Sequence, residues 1–88
     1  MTKTLTLVNR LGLHLRAAAE FAKTAAKFKC QIFVKNDRGT ANGKSLINLI
    51  ALSAGSGSEL KITLQGDDVK DAWDAVYKVC ANKFGEKE

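Results

Sequence analysis

Apolar side chains in this 88-residue chain switch repeatedly between a period of two and a period near 3.6, and that alternation leaves few folds open. In Thr2–Val8, Leu5 and Leu7 alternate with polar neighbours, as in a strand with one buried face. Residues 16–28 put Ala18, Phe21, Ala22, Ala25 and Phe28 on one helical stripe. Gln31–Asn36 alternates again, with Ile32 and Val34 inward. Asn36-Asp37-Arg38-Gly39 is a turn signal, and Gly39–Gly43 returns from it as a short third strand, giving a hairpin. Ser45–Ser53 reads as a short helix with Ser45 as its N-cap. Ala54-Gly55-Ser56-Gly57-Ser58 breaks the pattern and predicts a loop. Glu59–Gln65 is a fourth strand with Leu60, Ile62 and Leu64 inward. A last helix follows Gly66-Asp67-Asp68, with Val69, Ala72, Trp73, Val76, Cys80 and Phe84 on its stripe. Asp67, Asp68 and Asp71 gather at its start, where the helix dipole favours negative charge.

The predicted order is βαββαβα. One-faced strands need a cover, and the amphipathic helices supply it. A hairpin implies antiparallel pairing. The expected architecture is therefore α+β: a four-stranded antiparallel sheet covered on one face by three helices. Residues 1–88 are expected to form a single domain, with no proline, repeat or linker to divide them. So short a chain holds one core and no large enclosed substrate cavity, which puts any chemistry at the surface.

The N-terminus alternates instead of forming the apolar block of a signal peptide, and the mostly apolar run Leu46–Ala54 is interrupted by Asn48 and Ser53. A membrane span needs about 20 apolar residues, so no membrane insertion is expected and the cytoplasm is the expected location. Cys30 and Cys80 lie in apolar-periodic stretches and read as buried free thiols. Two distant cysteines and one histidine make no metal-ligand cluster, so neither metal nor cofactor is expected.

The net charge of +5 is unevenly spread. Residues 1–30 hold six basic side chains against Glu20 alone, whereas residues 56–88 hold five basic against seven acidic. A positive field at one end of the chain draws anions or acidic partners. RNA reading calls for several stacking aromatics, and Phe33 is the one candidate, so nucleic acid is not expected as a partner.

The lone histidine, His14, lies within that basic stretch and directly before the first helix. Free N–H groups at a helix N-terminus favour an anion, and imidazole is a nucleophile near neutral pH. Leu13-His14-Leu15 supplies no hydroxyl or carboxylate cap, so those N–H groups are left open or are met by the imidazole itself. Gly12 permits a sharp turn before the histidine. Arg16 offers a cationic fork for phosphate oxygens. From the residues alone, a phosphoryl-transfer site and a capping histidine beside a solvated arginine both stand.

Asn9-Arg10-Leu11-Gly12-Leu13-His14-Leu15-Arg16-Ala17-Ala18 resembles the active-site motif of HPr, the histidine phosphocarrier family of the bacterial phosphotransferase system. Lys44-Ser45-Leu46-Ile47-Asn48-Leu49-Ile50 resembles its second signature, a regulatory serine opening a short apolar helix. Length, element order and the spacing of the two motifs also fit, so the resemblance covers essentially the whole chain. It implies an open-faced β-sandwich and a covalent intermediate of a relay, not a stand-alone enzyme. His14 would take a phosphoryl group on Nδ1 from phosphorylated Enzyme I and pass it to the A component of a sugar-specific Enzyme II. Arg16 would stabilise the transferring charge, with the backbone N–H groups of Arg16 and Ala17 facing the phosphoryl oxygens. Ser45 would be the target of HPr kinase/phosphorylase. Leu46, Ile47 and Ile50 match docking positions, with Lys23 and Lys27 beside them for an acidic partner, and the protein would be a monomer. Leu49 and Leu52 are expected in the core.

Two positions depart from the family pattern, which usually has a small residue where Leu15 stands and proline where Ala17 stands. The departures leave room for a regulatory paralogue acting on transcription or metabolism through His14 or Ser45. A binding module for RNA or another acidic partner is the third alternative. An acylphosphatase-like enzyme fits least, because the order of elements ends in an extra helix.

Overall fold

A computed structural model describes residues 1–88. Its elements are β1 (Thr2–Thr6), α1 (Leu15–Ala25), β2 (Gln31–Asn36), β3 (Gly39–Asn42), α2 (Leu46–Ala51), β4 (Glu59–Gln65) and α3 (Val69–Ala81), followed by a 3-10 turn at Lys83–Gly85. The strands form one sheet in the order β1-β4-β2-β3. Every neighbouring pair is antiparallel, with Leu5 opposite Leu60, Ile62 opposite Val34, and Val34 opposite Ala41. These residues share the buried face. Phe21, Ala18 and Ala25 of α1, Leu49 of α2, and Ala72, Val76 and Cys80 of α3 belong to the same core. The result is the expected α+β open-faced sandwich.

The other sheet face carries Thr4, Thr6, Lys35, Thr40, Glu59 and Lys61, all exposed. Phe33 is the one aromatic among them, half-buried between Asn42 and Thr63. A lone ring flanked by polar side chains is not the set of stacking aromatics that single-stranded RNA readers present.

Several boundaries move from their predicted places. The first helix begins at Leu15 and ends at Ala25. Past that point Lys27 and Phe28 turn through i→i−3 bonds to Thr24 and Ala25, so Phe28 packs on the core from a tightened turn. The last helix stops at Ala81, and Phe84 is buried by a different route, with left-handed backbone at Lys83, Phe84 and Gly85 (φ 56°, 56° and 82°). Asp68 precedes α3 but does not cap it. Its carboxylate instead accepts from the backbone N–H groups of Lys29 (2.8 Å) and Cys30 (2.9 Å), closing the α1–β2 turn.

Cys30 and Cys80 are buried and free. Burial pushes the Cys80 thiol up to about 12, and burial followed by the Asp68 carboxylate raises Cys30. Neither forms thiolate at neutral pH, so neither competes as a nucleophile. No helix is long and apolar enough to cross a membrane.

Candidate functional site

The site is built where the chain leaves β1, turns, and enters α1. Gly12 makes the turn with φ +65°. A Cβ there would meet the Ala54 carbonyl oxygen at 2.5 Å, so both conformation and space demand glycine. That same carbonyl accepts from the Leu13 N–H at 2.9 Å, which fixes the residue before the histidine. His14 is the N-cap of α1, in extended backbone, and its side chain makes no capping bond. The first intrahelical bond runs from the Ala18 N–H to the His14 carbonyl at 2.8 Å. The N–H groups of Leu15, Arg16 and Ala17 therefore have no backbone acceptor. Of the two readings of this helix start, open N–H groups hold; the imidazole does not satisfy them.

The imidazole turns instead to the other end of the chain. Its Nε2 contacts a carboxylate oxygen of Glu86, and both side chains are partly shielded from solvent. The other Glu86 oxygen accepts from the Asn9 amide at 2.9 Å. That amide also donates to the Gly12 carbonyl at 2.7 Å. The Asn9 bond, then His14 and the nearby Arg16 charge hold the Glu86 carboxyl below its ordinary value, against the opposing effect of burial. Such a carboxylate supports the fold at neutral pH and loses that contribution as acid protonates it. Arg10 pairs with Glu88 at 2.7 Å and completes the junction between the tail and the loop.

Arg10, Leu11, His14, Leu15, Arg16 and Ala19 form one wall of an open groove, and Gly85–Glu88 form the other. Arg16 is exposed and its guanidinium has no protein partner. An unpaired guanidinium, free helix N–H groups and an imidazole with Nδ1 clear of the Glu86 contact together suit a tetrahedral dianion. No group of three or more His, Cys, Asp and Glu side chains is placed to hold a metal ion.

The comparisons with known proteins agree with this geometry. A family model described as the phosphorylation site of the PTS HPr component matches residues 1–82. The chain belongs to the HPr family, the phosphocarriers of the phosphotransferase system. The HPr phosphocarrier of Pseudomonas aeruginosa is 36% identical, over 96% of this chain and 94% of its own. That of Treponema pallidum is also 36% identical and covers 99% of both. The crystal structure of HPr-C-His from Thermoanaerobacter tengcongensis superposes with a TM-score of 0.94 at 36% identity, covering 100% of this chain and 99% of that one.

The remaining positions of this HPr-family chain divide clearly. Ile47 is 75% exposed and Ile50 lies at the surface, whereas Leu46 is half-buried against the core. Leu49 and Leu52 are buried, as expected. Lys23 and Lys27 are exposed on α1. Lys44 is engaged within the fold, its Nζ donating to the Phe28 carbonyl at 2.6 Å. Ser45 caps α2, its hydroxyl accepting from the Asn48 N–H at 3.3 Å. Leu11 and Leu15 are each 64% exposed beside His14, so the departure at Leu15 adds an apolar side chain to the rim of the groove.

Sequence reasoning missed Glu86 and Asn9. They lie 72 residues after His14 and five before it, and no periodicity links them. Asn9 reads locally as a turn former, and Glu86 as a solvated tail residue.

Ala17, the second departure, is buried in the first turn of α1. Proline is tolerated there and presets φ. We expect Ala17→Pro to add about 0.4–1 kcal/mol of stability while removing the Ala17 N–H from the open set at the helix start. Equal melting temperatures for the two proteins would refute a gain from the preset backbone.

Proposed function

We propose that this chain, working as one domain in the cytoplasm, accepts a phosphoryl group on His14 Nδ1 from phosphorylated Enzyme I and passes it to the A component of a sugar-specific Enzyme II. The observation that carries the reading is the placement of His14: at an uncapped helix N-terminus, with Nε2 against Glu86 and Arg16 two residues on. Membership of the HPr family supports it.

A carboxylate can only accept, so Glu86 keeps the proton on Nε2 and leaves the Nδ1 lone pair free. That lone pair attacks phosphorus. The Nδ1–P bond forms as the bond to the donor breaks, and the donor keeps its electron pair. Nε2 retains its proton, so the product ring is cationic and Glu86 offsets that charge. Arg16 and the backbone N–H groups of Arg16 and Ala17 take the phosphoryl oxygens. In onward transfer the Nδ1–P bond breaks and the electron pair returns to Nδ1. Docking falls to Leu46, Ile47 and Ile50, with Lys23 and Lys27 steering an acidic partner. Leu11 and Leu15 extend the apolar area. The chain acts as a monomer in this reading, because a second copy seated on Leu11 and Leu15 would cover His14.

Incubation with Enzyme I and labelled phosphoenolpyruvate tests the proposal. The expected label is acid-labile and base-stable, and it is absent from His14→Ala. Acid-stable label, or no label with a competent Enzyme I, would sink it. Leu15 and Ala17 favour a second reading, in which His14 or Ser45 phosphorylation regulates transcription or metabolism. Complementation of sugar transport separates the two.

In this reading Ser45 is the regulatory site, served by HPr kinase/phosphorylase. A phosphate adds about −1.5 to −2 charge beside Ile47, and desolvating it costs several kcal/mol per ion. Full burial of an isoleucine returns only about 1.5–3 kcal/mol. Phosphorylating Ser45 is expected to weaken Enzyme I binding at least tenfold while His14 stays reactive to small phosphoryl donors. An unchanged Kd for Enzyme I would rule the blocking mechanism out.

A further inference from the structure

We infer that Asn9 is a positioning residue of this site: through Glu86 it fixes the orientation and tautomer of His14. The inference deepens the phosphocarrier reading and rests on it for the identity of the nucleophile.

Asn9 is fully buried. Its amide nitrogen reaches two acceptors, the Gly12 carbonyl at 2.7 Å and Glu86 Oε1 at 2.9 Å. One planar group thus ties the loop that delivers His14 to the carboxylate that contacts its ring. The assignment of nitrogen and oxygen in this amide follows from its partners. A flipped amide would set Oδ1 against a carbonyl and a carboxylate, two groups that only accept. In the observed orientation Oδ1 is buried with no partner at all. A buried acceptor without a donor is a cost to the fold, and this one is incurred where the other half of the amide is fully used. Glu86 is short of other anchors. It follows the left-handed run Lys83–Gly85 near the end of the chain, and Asn9 and His14 are the side chains bonded to its carboxylate. Without the Asn9 amide, the carboxylate is free to rotate away from Nε2.

Donor and acceptor chemistry makes the effect on the tautomer directional. Glu86 accepts from Asn9 with one oxygen and from His14 with the other, so Nε2 must be the protonated nitrogen. In Glu86→Gln the Asn9 donor selects the side-chain oxygen of the new amide. The amide nitrogen then faces His14 and forces Nε2 to accept. The proton moves to Nδ1, and the nucleophilic lone pair is lost.

Nitrogen-15 shifts of the His14 ring, read on the unphosphorylated full chain at alkaline pH, test this directly. The wild type is expected to show Nε2–H. Asn9→Ala is expected to shift the ring toward a mixture of tautomers and to slow single-turnover transfer by about 10–100-fold, the range seen when an outer hydrogen-bond partner of a functional histidine is removed. The KM for Enzyme I should stay as it was, which a merely unfolded loop would not leave intact. Glu86→Gln changes a side chain at the edge of the site and serves if Asn9→Ala does not fold. Its ring is expected to show Nδ1–H, with transfer reduced by about 10² or more, as when a histidine is held in the wrong tautomer. A folded Asn9→Ala with wild-type shifts and rate would overturn the inference, and so would a Glu86→Gln ring that keeps Nε2–H. Because the shifts need no phosphoryl donor, failure of Enzyme I to label His14 would strike the functional reading and leave this result standing.

Discussion

Gly12→Ala is expected to lose about 3 kcal/mol of stability and to melt about 12–24 °C below the parent chain. Two costs combine at that position. Left-handed backbone at φ +65° costs an L-residue about 1–2 kcal/mol. The added methyl group also lies 2.5 Å from the Ala54 carbonyl oxygen and 2.7 Å from two backbone atoms of Gly55, none of them the end of a flexible side chain. Relief requires the loop to part, with the overpacking cost of about 1–3 kcal/mol that such shifts carry. For a domain of this size each kcal/mol moves the melting point by about 4–8 °C. Gly57→Ala separates the two costs, since Gly57 has φ +83° but open space around its missing Cβ. It should lose the conformational part only. Gly55→Ala, in open space without positive φ, should melt like the parent. Equal melting points for Gly12→Ala and Gly57→Ala would show that the loop yields freely.

The consequence of Gly12→Ala for function is larger than its stability cost suggests. The Ala54 carbonyl that the methyl group displaces is the acceptor for Leu13 N–H, and Gly12's own carbonyl is an acceptor for Asn9. Any shift at Gly12 therefore moves both supports of His14. Among molecules still folded, transfer from Enzyme I should fall further than the folded fraction does.

Most of the framework was legible in the chain because alternating and helical periods are local. Leu60, Ile62 and Leu64 specify a strand face within seven residues, and Ala18, Phe21, Ala22 and Ala25 specify a helix face within eight. Ser45 was legible as a cap because capping is a contact over three residues. Misreadings came where local pattern met long-range competition. Phe84 continues the stripe of α3 at helical spacing, yet the chain buries it through a left-handed turn. Asp68 reads as one of the charges gathered at the start of α3, but two backbone N–H groups across the fold claim its carboxylate. In the site, His14, Arg16 and the uncapped helix were visible because they are neighbours in sequence. Glu86 was not, because what makes it functional is a pairing between the two ends of the chain, and no local rule encodes that pairing.

Arg16→Ala is expected to slow phosphoryl transfer about 10²–10³-fold, the usual result of removing one preorganised donor from developing oxyanion charge. Stability should stay within about 0.5 kcal/mol of the parent, as for surface substitutions away from packed or bonded features, because the Arg16 side chain is exposed and makes no hydrogen bond or ion pair. That freedom carries the prediction. Arg10, six residues earlier, is engaged by Glu88, whereas Arg16 stands unpaired beside His14 with its donors available to an incoming phosphoryl group. Arg16→Lys keeps the charge but loses the planar fork, and should recover only part of the rate. Steady-state kinetics with phosphorylated Enzyme I decide the role. A fall in kcat with KM unchanged places the guanidinium on the transferring group. A rise in KM alone, abolished by high salt, would make Arg16 a docking charge, the role proposed for Lys23 and Lys27, and would remove it from the transfer step.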